Sequence, residues 1–473
     1  MQTITLNDLN NYYRLFFKSN YIKLLPKDYT PPRPLLKNMR FNYGKDLLPV
    51  KQILKNLENK KYELDGNIVF NGIKIYLQLK NPNISDDYVQ KYIIDNKYEH
   101  NINYFIRTAY ANDNHEIIKK IEKNKIPTTY QIYNKKDGLV QKLTGNNNDL
   151  KITLMNCGTS EAIRYWFLQG KYPCALNFAN SFHPGGGYTT GDNAQEENLC
   201  LKSGFLYASL NEASSRNKYY EDWGKNWDNK VLYTPLVPFV RDEEEKLLNT
   251  KFIIKFNDGN QFEYNINTLN LLNQNTVYSG SIITSAAPDF RTSNPFGKSF
   301  DTIIRSKRNI DYDSFKKELE TYVKKNKYLD TIRYICMTPS CIHNCSGFPN
   351  VENIGKPRVL ILGAWGCGAF NPPSSYSEYR QIIAEYFIEV LKTIPSNTYD
   401  EIVFAIPGVP DKDINYTTFK TVFNDNLKKG NLTELDNNTI NKQIKQQQMG
   451  GNETYYYKYQ KYKQKYIELK NKK

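Results

Sequence analysis

No apolar run in this 473-residue sequence approaches the length needed to cross a bilayer, and the longest, such as Val359 to Ala364, are strand-sized. The N-terminus, MQTITLNDLNNYYRLFF, lacks the basic start, apolar block and small-residue cleavage site of a secretory signal. Seven scattered cysteines, an odd number, make no disulfide framework. Neither of the two glycine-rich turns is followed by Gly-Lys-Ser/Thr, so neither is a Walker A loop. Together these absences point to an intracellular, reduced protein of the cytoplasm or nucleus, with no membrane among its partners.

The composition that remains is that of a folded chain. Apolar residues make up 40% and aromatic residues 14%, enough for a packed core, and the length allows a large domain with extensions. Abundant Asn, Lys, Tyr and Ile reflect an A/T-rich genome rather than an activity. The net charge of +15 is unevenly placed: residues 1–60 carry +7 and residues 451–473 carry +5, leaving +3 for everything between. Basicity at the two ends speaks to docking or localisation, including contact with nucleic acid or another polyanion, more than to catalysis.

Along the chain, residues 1–60 mix short helical patterns with a cluster of prolines. Ile68–Phe70 and the alternating Ile73, Ile75, Leu77 and Leu79 flank Asn71-Gly72, which predicts a hairpin. Residues 85–125 read as helical, with Ile117, Ile118 and Ile121 on one face. From about 150, strand and helix alternate. The pattern gives strands at 152–155, 174–178, 231–240, 281–285, 358–362 and 402–405, with helices from 159, 194, 313 and 375. A second hairpin is expected where 251–256 and 261–266 flank Asn257-Asp258-Gly259-Asn260. This alternation predicts an α/β fold, a three-layer α/β/α core with ligand loops at the strand ends. The organisation expected is an α+β N-terminal extension (1–125), the main domain (126–412), a polar linker (413–450) and a short basic helical tail (451–473). In the tail, Tyr455, Tyr459, Tyr462, Tyr466 and Leu469 recur at spacings of four and three. That seam fits a coiled coil, a docked helix or a basic–aromatic arm equally.

The chemistry concentrates between Cys174 and Cys200. An apolar strand leads to three glycines, Gly185, Gly186 and Gly187, and after seven residues a helix opens on Gln195, Glu196 and Glu197. A strand feeding a glycine loop and then a helix is a common way to bring backbone N–H groups near a phosphate. Two carboxylates at the same place are unexpected for a site that only binds anions. A second glycine turn, Gly363 to Phe370, follows the later strand RVLIL.

On these residues the sequence resembles the microbial-type poly(ADP-ribose) glycohydrolases, a branch of the macrodomain fold. Their signature is GGG, six to eight residues, then QEE. The likeness extends through LNFANSFHPGGG, AQEENLCLKSGFLYASL, LYTPLVPFVRD, ITSAAP and LGAWGCGAF, over roughly residues 150–410. It implies a macrodomain-like core and hydrolysis of ribose–ribose O-glycosidic bonds to release ADP-ribose, with no cofactor and no metal. It also implies site roles. Glu197 matches the catalytic acid, Glu196 the neighbouring carboxylate that orients ribose hydroxyls, and Asn180 the residue that holds the terminal ribose. Gly185, Gly186 and Gly187 match the catalytic loop, with Gln195 opening the QEE signature beside it. Gly366, Cys367, Gly368 and Ala369 match the diphosphate loop, and Phe370 an aromatic against the ribose. The partner implied is the ADP-ribose polymer or an ADP-ribosylated protein. The tail, YYYKYQKYKQKYIELK, is similar to repeats of giant-virus proteins, which would place the chain in a host cell.

The implied chemistry is physically coherent. The reaction passes through an oxocarbenium-like state, and the leaving hydroxyl needs a proton. A Glu beside a diphosphate is held protonated by the like charge. Two adjacent Glu residues cannot span a sugar ring, so one acid/base carboxylate is expected rather than a nucleophile pair. Two rivals to polymer hydrolysis are removal of single ADP-ribose units from protein or nucleic acid, and a macrodomain reader without activity. The intact Glu196-Glu197 pair disfavours the reader, because binding alone needs no acid there. Elsewhere, Cys341, His343 and Cys345 form a C-x-H-x-C cluster with no second pair at zinc-like spacing. Cys367 reads as a packing residue and His183 as a turn residue, while Trp365 and Tyr188 fit either the core or a ligand stack.

Overall fold

The computed structural model describes residues 127–133, 145–190, 192–217, 230–242, 251–255, 261–265, 278–292, 295–307, 310–344, 356–372, 378–408 and 412–449. Ser85, Arg107, Ala111, Asn114, His115, Ile118, Tyr220 and Val351 are described as single positions. The hairpin expected at 68–79 and the tyrosine seam of the tail lie outside the described residues. Within 85–125, Arg107, Ala111, Asn114, His115 and Ile118 are helical.

The centre of the molecule is an eight-stranded mixed sheet. In chain order its strands are β1 (Tyr130–Tyr133), β2 (Ile152–Met155), β3 (Pro173–Ala179), β4 (Lys230–Phe239), β7 (Tyr278–Ala286), β8 (Val359–Leu362), β9 (Glu401–Ala405) and β10 (Leu432–Leu435). Their spatial order is β1-β4-β7-β3-β8-β9-β2-β10. The pairs from β7 through to β10 are parallel, and β1 and β4 are antiparallel additions at one side. The short strands β2, β3 and β8 are almost wholly buried, as expected for a parallel sheet covered on both faces. The hairpin β5 (Lys251–Lys255) and β6 (Gln261–Asn265) forms its own two-stranded sheet, with Lys255 opposite Gln261.

Helices α1 (Thr159–Leu168), α2 (Gln195–Lys202) and α3 (Gly204–Asn217) cover one face, against the side chains of Ala175, Asn177 and Ile282. The other face carries α4 (Pro295–Arg305), α5 (Tyr312–Tyr322), α6 (Lys325–Cys341), α7 (Glu378–Leu391) and α8 (Ile414–Asn426). There Leu176, Ile283, Leu360 and Phe404 join the main apolar core with Phe387, Phe419 and Phe423. This is the three-layer α/β/α arrangement expected of the macrodomain-like core. Among the described residues no helix is long and apolar enough to cross a membrane.

Three expectations change. The helix expected from 194 is two helices. Ser203 leaves the helical conformation at φ −139 and ψ 90, and its hydroxyl donates to Pro238 O at 2.6 Å. The helix from 313 is broken in the same way, at Val323 (φ −126, ψ 109). The largest change concerns 413–450, which is no linker and does not lie beyond the last strand. It forms α8, β10 and α9 (Asn437–Met449), and β10 adds a parallel edge strand with Leu432 opposite Ile152. Of the glutamines that suggest a linker, Gln446 is exposed and Gln443 and Gln447 are half-buried. Tyr416, Phe419, Val422 and Phe423 are buried, and the Phe423 ring lies 4.7 Å from that of Phe404. The Asp413 carboxylate starts α8 by accepting N–H bonds from Asn415 and Tyr416 at 2.9 and 3.0 Å.

Candidate active site

The loops that follow β3, β7 and β8 leave the carboxyl ends of neighbouring parallel strands, where α/β sheets place their ligands. The first half of the site begins with one polar residue inside an apolar strand. Asn177 is fully buried, and its Nδ2 donates to Glu196 Oε1 at 3.2 Å and to Thr284 Oγ1 at 3.3 Å. After the strand ends, Asn180 turns the chain. Its Oδ1 accepts N–H bonds from Phe182 and His183 at 2.8 and 3.1 Å, while its own N–H donates to Glu196 Oε2 at 2.6 Å. Asn180 Nδ2 has no partner among the described residues, so it is the end of the side chain left for a ligand.

The three glycines then wrap the carboxylates. Gly185 N–H donates to Glu196 Oε1 at 3.1 Å, Gly187 N–H to Glu197 Oε1 at 2.9 Å, and Gly186 N–H to His183 O at 3.0 Å. All three donors are therefore spent inside the loop, and this loop is not the phosphate cradle its composition suggests. Gly186 is required on two grounds. Its φ is +54, and a Cβ there would collide with Glu197 Oε1. Gln195 locks the start of α2 to the sheet: its Oε1 accepts from Phe178 N–H at 2.8 Å, and its Nε2 donates to Leu176 O at 2.7 Å and Thr159 Oγ1 at 3.0 Å. That amide serves the framework.

Adjacent in sequence, the two carboxylates differ in surroundings. Glu196 is 2% exposed and accepts three hydrogen bonds; Glu197 is 9% exposed and accepts one from the glycine loop. Burial pushes the Glu196 carboxyl up to about 8, against the opposing pull of its N–H donors. Burial also raises Glu197, and the nearby Asp192 charge adds to that rise while the Gly187 N–H opposes it. Behind the loop, Tyr188 is core rather than a ligand stack. It is 1% exposed, receives Asn114 Nδ2 at 3.1 Å, and packs with Tyr207 at 4.8 Å. Asn114 also donates to Leu201 O at 2.8 Å and accepts from the buried Arg241 at 3.1 Å. A segment assigned to the N-terminal extension thus braces the glycine loop.

The second half is the turn after β8. Gly366 has a φ of +76 and lies against Tyr379, and Trp365 is fully buried with its indole donating to Ser285 O at 3.2 Å. Cys367 is 2% exposed and burial pushes its thiol up to about 12, so it packs and is no nucleophile at neutral pH. Gly368 and Ala369 are exposed, and a Cβ at Gly368 would meet open space. The backbone N–H groups of Gly368, Ala369 and Phe370 donate to no acceptor among the described residues. This turn, unlike the first, has donors to offer an anion. Phe370 is half-buried, and its carbonyl accepts from Phe290 N–H at 2.9 Å. Asn177 and Asp192 lie beside the carboxylates without having been singled out in the sequence. Only Asn177 left a signal, as a polar residue between apolar ones in CALNFA. At the C-x-H-x-C cluster, Cys341 is buried, and His343 contacts Tyr233 Oη at 3.0 Å and Val351 O at 3.1 Å.

No curated protein matches the chain. Among solved structures, the poly(ADP-ribose) glycohydrolase of Thermomonospora curvata shares 21% identity over 67% of this chain and 99% of that one, with a TM-score of 0.45. The Deinococcus radiodurans poly(ADP-ribose) glycohydrolase in complex with ADP-ribose shares 20% identity over 63% and 94% of the two chains, with a TM-score of 0.42. Residues 93–242 match the family model described as microbial-type PARG, catalytic domain. That stretch begins inside the supposed extension and includes Asn114, the glycine loop, both carboxylates and Arg241. Over residues 93–242, then, this chain is similar to the microbial-type PARG catalytic domain.

Proposed function

We propose that the protein is a poly(ADP-ribose) glycohydrolase, cleaving the ribose–ribose O-glycosidic bond to release ADP-ribose, with Glu197 as its general acid. The observation that carries this reading is the division between the carboxylates. Glu196 accepts bonds from Asn177, Asn180 and Gly185 and holds the loop in shape, whereas Glu197 accepts a single bond from that loop. A carboxyl raised by burial can stay protonated long enough to donate to the leaving ribose oxygen. Water then adds at the oxocarbenium-like carbon and returns a proton to Glu197, restoring the starting state. Glu196, with most of its lone pairs occupied, does not serve as a nucleophile; it fixes the loop and keeps a site for a ribose hydroxyl. Asn180 Nδ2 offers a donor to the same sugar, and the open N–H groups of Gly368, Ala369 and Phe370 receive the diphosphate. Phe370 packs against the ribose.

The six described cysteines are all free and buried, which supports a reducing, intracellular setting. Cell fractionation that recovered the protein outside the cell would contradict it. The function is tested with Glu197→Gln. The substitution should lower release of ADP-ribose from the polymer by at least about a hundredfold, as loss of a general acid does, while ADP-ribose binding persists. Unchanged release would sink the assignment. Removal of single units from mono-ADP-ribosylated substrates by the unsubstituted protein, with polymer left intact, would move the activity to the monomer.

A further inference from the structure

The loop 287–292, between β7 and α4, carries an ion pair that the mechanism does not use. Arg291 Nε donates to both oxygens of Asp289, at 2.8 and 3.1 Å, and Nη2 donates to Oδ2 at 2.5 Å. The acid is buried at 9% exposure, whereas the arginine side chain is 45% exposed. A buried acid thus fixes the direction of a half-exposed cation. The guanidinium carbon lies 4.8 Å from the centroid of the Phe370 ring, a cation–π distance. Phe290, between the two charged residues, ties this loop to Phe370 through its N–H. Arg291 therefore belongs to the same wall as the turn with unspent N–H donors.

Charge and valence indicate what it is for. Three acids, Glu196, Glu197 and Asp192, stand at the glycine loop, and the turn 368–370 offers neutral N–H groups alone. A diphosphate at that turn gains a charged partner only from a cation on the same wall. Asp289 occupies only the Nε and Nη2 side of the guanidinium. Nη1 has no hydrogen-bond partner among the described residues, and arginine offers five N–H donors in a fixed fork suited to phosphate.

We propose that Arg291 is the phosphate-binding cation of this site, held over Phe370 by Asp289 so that its Nη1 edge meets a phosphate of the bound ADP-ribose unit. This rests on the ADP-ribose reading of the site and adds a residue to it. Calorimetric titration of the full chain with ADP-ribose, and with adenosine as a probe lacking phosphate, tests it. Arg291→Ala should weaken ADP-ribose binding about tenfold or more, the scale of a lost charge-assisted hydrogen bond, and flatten its salt dependence. Adenosine binding should not change, and Arg291→Lys, which restores the charge, should recover part of the loss. Equal losses for both probes would make the pair a mere clip between loops and overturn the proposal; so would an unchanged ADP-ribose affinity. A protein that binds ADP-ribose through Arg291 but leaves polymer uncut would refute the glycohydrolase reading alone.

Discussion

Glu196 and Glu197 occupy consecutive positions on the first turn of α2, yet one is bonded by Asn177, Asn180 and Gly185 and the other by Gly187 and the backbone at the start of its own helix. A helix separates consecutive side chains by about 100°, so one turns back to Asn177 and the strand end while the other reaches Gly187. The same separation makes Asp192 a neighbour of Glu197 rather than of Glu196, and its charge helps keep Glu197 protonated. If the protonated form is the working one, kcat/KM must fall as pH rises through the raised Glu197 value. Asp192→Asn removes a negative charge from the surroundings and should move that alkaline limb to lower pH. A pH series of kcat/KM on polymer measures the shift, and a limb that stays in place would show that Asp192 has no electrostatic hold on the acid. Much of this pair was legible in the sequence, because QEE after a glycine triplet is a local pattern. The donors to Glu196 were not, since Asn177 lies nineteen positions from it along the chain. Nor was the use of the glycine N–H groups, because composition alone cannot tell a loop that cradles phosphate from one that cradles its own carboxylates.

At the scale of elements, the strands and helices around the site could be read because each is periodic over its own length. What failed was continuity. Ser203 fits the apolar stripe Leu199, Leu206 and Leu210 as well as a helical residue would, and only its bond to Pro238, on a distant strand, reveals the break. The segment 413–426 failed for the opposite reason: its polar residues outnumber its buried ones, although those buried ones recur at helical spacing. Its start does carry a local signal, Asp413 ahead of the helix. Asp413→Ala removes the oxygen that accepts two N–H bonds at the first turn of α8 and should cost about 1 kcal/mol of stability. Denaturant unfolding of the two proteins would report it, and equal midpoints would mean that packing on Phe404 alone sets the helix.

The whole molecule turns on where the sheet ends. A parallel sheet is stable with both faces covered and its edges managed, and here β10, α8 and α9 provide cover for β2, β9 and one flank of α1. Ile440 and Ile444, four residues apart on α9, are buried, so the helix is docked rather than hanging from a linker. A chain ending at 412 would expose Phe404 and the open edge of β2, next to a core whose rings interlock through Phe419 and Phe423. That truncation should therefore aggregate or lose cooperative unfolding, and with it the arrangement of the glycine loop and the 366–370 turn. A chain ending at 450 keeps every described element. It should fold and cut polymer like the full protein, while losing the +5 of residues 451–473 and with it part of any low-salt affinity for polyanions. Thermal unfolding and polyanion retention of the two truncations separate the roles. If the 412 truncation melts as the full chain does, residues 413–450 are dispensable to the fold. If the 450 truncation holds polyanion as tightly as the full chain, the basic tail does not serve as a tether.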